Sequence, residues 1–276
     1  MKNISVSIFK YCTLALLSIG IFTSCDDETN FSPYKTTVSL KDAKVKFLNT
    51  AIGPDGTNFT VNWFLDDTKS TAVFNATSVP LGISFGSNFP ASINYALTPA
   101  GKKNMQIKIP ADATNLESTV VNSPIEFEAE KNYSSFLVGT NLNYSTYTIN
   151  DDLTISKPEI DKAYIRYVNV IPNSPSTGFD VSIKEVNENA LIFTGVKYLE
   201  GDVNFIPVTA ISDDESILYE VQLRNVGSTE ILSKTTITLR RGRIYTFYSY
   251  GLVGGLSKGV PSTTVNIPKI SYYTNK

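Results

Sequence analysis

Three acidic runs and one arginine cluster are the side chains best placed for chemistry: Asp66-Asp67, Asp151-Asp152, Asp213-Asp214-Glu215 and Arg240-Arg241-Gly242-Arg243. Paired carboxylates could hydrolyse a glycosidic bond if held about 5–9 Å apart across a cleft. They could also bind calcium, which gathers several oxygen ligands. All three acidic groups fall in predicted turns and none forms a DxDxDG-like loop, so solvated turn acids are the expected reading. The arginine cluster could meet an anionic glycan, but its place between two predicted strands reads as a solvated hairpin end. Two aromatic features remain. Trp63, the one tryptophan, shares a strand face with Phe59 and Val61, which predicts core packing. The run Tyr245 to Tyr250 (YTFYSY) sets Tyr245 and Phe247 on one face and Tyr248 and Tyr250 on the other. If solvent-facing, Tyr248 and Tyr250 could stack on a ligand. Phe136 at the position matching Tyr248 favours packing instead, at the domain interface.

What composition excludes is equally informative. The chain has 276 residues, 24 Lys plus Arg, 26 Asp plus Glu, two Cys and no His. No Ser-His-Asp or Cys-His set can be built, and no histidine ligand is available. The balanced charge gives no reason to expect nucleic-acid binding. No cofactor motif is present. At 42% hydrophobic and 11% aromatic the chain can bury a core.

The amino terminus reads as an address. Lys2 and Lys10 precede the apolar run Tyr11 to Phe22, which is too short to span a bilayer comfortably. Phe22-Thr23-Ser24-Cys25 resembles a bacterial lipobox, with residues 1–24 as signal peptide and Cys25 as the lipidated residue. Acyl chains on Cys25 would hold the mature protein on a membrane. Asp26, Asp27 and Glu28 then resemble a Bacteroidetes surface-export signal, opening a polar tether over 25–40. The expected location is the outer membrane, surface-exposed.

The remaining sequence reads as short strands separated by Gly, Pro, Asn and Asp clusters. It also repeats itself. Residues 43–64 lie over 163–184 at an offset of 120, pairing Ala43 with Ala163, Lys46 with Arg166, Asn49 with Asn169 and Phe59 with Phe179. A second block at an offset of 112 pairs Tyr133 with Tyr245, Phe136 with Tyr248 and Gly139 with Gly251. The spacing predicts an all-β protein: two tandem immunoglobulin-like antiparallel β-sandwiches over 41–156 and 157–276.

Each copy resembles the DUF4397 family. The second carries Ala163-Tyr-Ile-Arg-Tyr-Val-Asn-Val170, Pro172, Pro175 and Phe179-Asp-Val-Ser-Ile183, followed later by Leu239-Arg-Arg-Gly-Arg-Ile-Tyr-Thr-Phe247. The first carries Tyr95-Ala-Leu-Thr-Pro-Ala-Gly101, and Asp151-Asp152 resembles the acidic pair that closes one copy. The first departs from the pattern at Ile52 and Thr60, which stand where the family has Pro and often Asp. The resemblance implies tandem sandwiches in a secreted protein or lipoprotein and offers no catalytic residues to transfer. The expected function is a non-catalytic binding or adhesion module that contacts glycan or a surface protein. A structural accessory subunit of a membrane complex, or a carboxylate-based glycan hydrolase, is the alternative.

Overall fold

The computed structural model describes residues 41–74, 80–112, 115–155, 158–185, 188–201, 204–210 and 218–276. Cys25, Asp26, Asp27, Glu28 and the acids 213–215 lie outside the described residues. So does the centre of the expected boundary, at residues 156–157.

The first half contributes β1 (Asp42–Asn49), β2 (Asn62–Leu65), β3 (Thr68–Lys69), β4 (Val73–Phe74), β5 (Pro80–Leu81), β6 (Asn88–Phe89), β7 (Ala96–Pro99), β8 (Gly101–Ile109), β9 (Ser118–Phe127), β10 (Asn132–Thr140) and β11 (Asn143–Asn150). The second contributes β12 (Lys162–Asn169), β13 (Phe179–Glu185), β14 (Glu188–Val196), β15 (Glu200–Gly201), β16 (Ile206–Thr209), β17 (Tyr219–Asn225), β18 (Ser233–Ile237), β19 (Ile244–Tyr250) and β20 (Lys269–Thr274). Among the described residues there is no α-helix; one 3₁₀ turn spans Pro54–Gly56.

Each half forms an inner and an outer sheet. The inner sheets run β11-β10-β1-β6, with β7 also on β1, and β20-β19-β12-β15, with β16 also on β12. The outer sheets run β3-β2-β8-β9 and β14-β13-β17-β18. The two lists correspond strand for strand, so the duplication read from the sequence extends to topology. A short β4-β5 ribbon in the first half lies outside this correspondence. Among the described residues no sheet draws strands from both halves.

The sandwiches are not wholly antiparallel. Strand β1 pairs with β10 in parallel, as β12 does with β19. In each half the chain passes between inner and outer sheets more than once before the returning strand lies beside the first in the same direction, which a hairpin cannot achieve. A tight two-residue turn then joins β10 to β11 through Asn141 and Leu142, both with positive φ.

Alternation along β1 sends Ala43, Val45 and Phe47 into the first core with Trp63, Met105 and Ile107. Ala163, Ile165 and Tyr167 enter the second core with Phe179, Val221 and Leu223. A third cluster belongs to neither sandwich: Leu48, Phe136, Val138, Val168, Val170, Tyr248 and Tyr273. It takes the alternate residues of β1, β10, β12 and β19. The two inner sheets therefore pack against each other, and these four strands are buried on both faces.

Tyrosine hydroxyls fasten the entry into the returning strands. Tyr133 accepts the Glu128 N–H at 3.0 Å, and its counterpart Tyr245 accepts the Arg240 N–H at 3.2 Å. Each bond ties the returning strand to the backbone five residues upstream.

Candidate functional site

The densest collection of charged and hydrogen-bonding side chains lies between the inner sheets. Lys46 on β1 and Arg166 on β12 occupy matching places in the two halves, and both are 0% exposed. Each sits on a strand residue that alternation turns away from its own core. In a lone sandwich both would meet water. Here the other half covers them.

Arg166 forms a buried ion pair with Asp151, the residue after β11. Its Nη1 donates to the Asn150 carbonyl at 3.3 Å and its Nε to Thr246 Oγ1 at 2.9 Å. The guanidinium lies over the Phe205 ring at 4.8 Å. Burial alone would lower its pKa, but the Asp151 carboxylate beside it more than reverses this, so Arg166 is held above its usual range. Asp151 Oδ2 also accepts hydroxyl donors from Tyr95 at 2.8 Å and Ser134 at 2.7 Å. Asn275 donates to the Tyr95 hydroxyl at 2.8 Å and accepts from Thr246 Oγ1 at 2.7 Å. Tyr273 donates to Ser134 Oγ at 2.6 Å.

Lys46 is treated differently. Its Nζ donates to three carbonyls, Pro90 at 3.1 Å, Ser92 at 2.8 Å and Asn94 at 2.9 Å. It lies 5.2 Å from the centroid of the Tyr95 ring and 5.6 Å from that of Tyr273. Burial lowers its pKa to about 8, against an opposing pull from Asp151. Burial, helped by the Asp151 charge, also pushes Tyr273 up to about 12.

The other expected residues fall as follows. Tyr248 is not on a solvent-facing patch: it is 1% exposed, edge-on to Phe136 at 5.9 Å, and donates to the Gly86 carbonyl at 3.0 Å. The second inner sheet needs a mate for its apolar face, and Tyr248 lies at the centre of that contact. Tyr250 is half-buried against Phe85, ring centroids 5.3 Å apart. Trp63 is fully buried beside Phe47, as expected. Asp66 and Asp67 form an exposed turn whose carboxylates bind Lys103, Asn104 and Gln106. Asp152 is exposed and accepts the Thr154 N–H at 3.0 Å. Asp151, read above as a turn acid, is instead the buried anion of the interface. Arg240, Arg241 and Arg243 are exposed, but they lie where the chain crosses from outer to inner sheet and not at a hairpin end.

Among the described residues no group of His, Cys, Asp or Glu could hold a metal. Among the described residues the one open aromatic feature of an outer sheet is Phe64 on β2, half-buried, with Lys108 Nζ 4.6 Å from its ring centroid. Phe64 alternates outward between the core residues Trp63 and Leu65, and a single outward aromatic carries no sequence signal of its own.

The chain is thus an all-β protein of paired sandwiches joined by a buried polar centre. The family model described as "Domain of unknown function (DUF4397)" matches residues 43–182, and the chain belongs to that family. Comparison with curated proteins finds no match. Among solved structures, the chain is similar to candidate cell adhesion proteins of three Bacteroidetes. The protein of Bacteroides eggerthii is 11% identical, covering 87% of this chain and 97% of that one, with a TM-score of 0.20. That of Parabacteroides distasonis is 9% identical, covering 86% and 100%, with a TM-score of 0.20. That of Bacteroides ovatus is 9% identical, covering 84% and 96%, with a TM-score of 0.18. Among the described residues no helix is long and apolar enough to cross a membrane.

Proposed function

We propose that this protein is a non-catalytic binding module, lipidated at Cys25 and displayed on the outer membrane by the tether that Asp26, Asp27 and Glu28 begin. In this reading residues 41–156 and 157–276 are two DUF4397-type sandwiches working as one rigid body. The observation that carries it is the use made of the charged centre. Lys46, Asp151 and Arg166 are buried between the halves, where their polar atoms bond to one another and to neighbouring protein groups. Side chains engaged in this way hold the two halves together and are buried away from any substrate. Partner contact then falls to the outer sheets, with Phe64 and Lys108 as the aromatic and cationic elements of a glycan- or protein-binding face.

Two experiments test the parts separately. Fractionation of cells expressing Cys25→Ser is expected to move the protein out of the membrane fraction; retention there refutes the lipid anchor. A glycan array and a whole-cell pull-down with a soluble fragment 30–276 are expected to show binding that Phe64→Ala reduces at least about tenfold, the loss of an aromatic contact worth over 1 kcal/mol. Binding unchanged by Phe64→Ala removes the outer-sheet assignment. Turnover of a glycan substrate by the fragment overturns the non-catalytic reading.

A further inference from the structure

The polar centre has a symmetry that its charges break. Lys46 pairs in register with Ser134 across the parallel strands of the first half, and Arg166 with Thr246 across those of the second. Tyr95 precedes the strand whose Ala96 pairs with Val45, and Phe205 precedes the strand whose Ile206 pairs with Ile165. Each ring lies beneath the cation of its own half. Asp151 follows Asn150, which pairs with Tyr133; Asn275 follows Thr274, which pairs with the counterpart Tyr245. Cation, small hydroxyl, ring and end residue each therefore have a mate in the other half; Tyr273 does not, because Ile149 stands beside Ser134 where Tyr273 stands beside Thr246. The cations and small hydroxyls keep their type, but the residue after the last strand is an acid in one half and its amide in the other.

We propose that the inner face of each half is a self-recognition surface, the two halves pairing as two copies of one domain would, and that its single carboxylate can be supplied from either half but must be supplied once. Two cations are buried there. With no acid, both would be buried without an anion. With two acids, the carboxylates would crowd, because Asn275 Nδ2 and Asp151 Oδ2 are only 3.4 Å apart.

The hydrogen-bond pattern explains why the acid can move. The groups linking positions 151 and 275 to their surroundings are mostly hydroxyls: Tyr95, Ser134, Thr246 and Tyr273. A hydroxyl either donates or accepts. When acid and amide are exchanged, the amide oxygen at position 151 still accepts from Arg166. Its nitrogen donates to Ser134 and to the carboxylate now at position 275. Tyr95 and Thr246 both donate to that carboxylate. Ser134 then donates to Tyr273, which in turn reaches Thr246. The chain of bonds runs in reverse with no member left over.

The test compares full-length Asp151→Asn, Asn275→Asp and the double exchange by thermal melting, with small-angle scattering to report whether the halves stay together. Asp151→Asn is expected to lower the melting temperature by on the order of 10 °C, from the cost of unpairing a buried charge spread over a chain of this length. Asn275→Asp alone is also expected to lower it, and acidification to recover part of that loss as one carboxylate takes a proton. The double exchange is expected to recover at least half of the Asp151→Asn loss with an unchanged radius of gyration. If the double exchange melts no higher than Asp151→Asn, or if neither folds, the acid is not movable and the proposal fails. A harmless Asp151→Asn would also overturn it, since the centre would then need no carboxylate.

Discussion

Lys46 is the residue whose titration the fold most clearly alters in an accessible range. Its ammonium bonds to three carbonyls and lies near the Asp151 charge, yet burial outweighs both, leaving a folded pKa of about 8 against an ordinary 10.5. The folded state thus releases this proton more readily than the unfolded chain does. Below pH 8 both states hold the proton and the full cost of burying the cation is present. Between about pH 8 and 10.5 the folded state loses it first, so stability rises with pH, by on the order of 3 kcal/mol over the whole interval. Tyr273, pushed up to about 12, acts in the opposite sense above about pH 10, where unfolded tyrosine ionises and folded tyrosine does not. The clean window is therefore about pH 8 to 10. Urea unfolding at the two ends is expected to show wild type gaining about 2 kcal/mol more than Lys46→Met across that window. Equal slopes for the two proteins would show that Lys46 stays charged. At neutral pH the substitution is not expected to stabilise much, because it strips an N–H donor from the Ser92 and Asn94 carbonyls.

At the scale of elements, the paired glycines Gly139 and Gly251 show what the repeat preserves and why. Both end the returning strand with φ near +105°, at 109° and 107°. A Cβ on Gly139 would lie 2.0 Å from the Asn143 carbonyl oxygen, and one on Gly251 would lie 2.3 Å from that of Ile267. Only glycine satisfies both the dihedral and the approach. Gly251→Ala is expected to cost about 2–3 kcal/mol, read as a fall of several degrees in melting temperature; a shift under one degree would mean that the strand end relaxes freely. This position was legible in the sequence because glycine recurs at equal spacing in both halves. So were the tyrosines 133 and 245 and the buried tryptophan, each of which serves its own sandwich. What the pattern could not reveal is which outward face is covered. In Val45-Lys46-Phe47 and Ile165-Arg166-Tyr167 the alternation correctly turns the charged residue away from the local core. It cannot tell water from a second sandwich on that side. For the same reason Asp151 read as a solvated turn acid, whereas Tyr248, matched by Phe136 in the first half, read as packing at a domain interface, where it lies.

For the molecule as a whole, the inner-sheet contact decides whether the chain behaves as two domains or one. The contact is apolar at Leu48, Phe136, Val138, Val168, Val170 and Tyr248, and ionic at Asp151 and Arg166. A clasp adds to it elsewhere: Asn266 donates to the Gly56 carbonyl at 2.7 Å, and the Gly259 N–H to that of Asp55 at 2.9 Å. Neither inner sheet could expose such a face without presenting a large apolar patch to water. Unfolding of one half would strand the other half's face, so the two are expected to unfold together, with calorimetric and van 't Hoff enthalpies nearly equal. Phe136→Ala tests the apolar share of that coupling without touching a charge. Phe136 is fully buried against Tyr248 and lies in neither sandwich core. The truncation should cost about 3–5 kcal/mol, drawn from the coupling and not from either core. The expected result is a melting profile that broadens or splits into two transitions, with the intrinsic stability of each sandwich preserved. A single sharp transition at lower temperature would instead mean that the ionic centre and the clasp suffice to keep the halves cooperative.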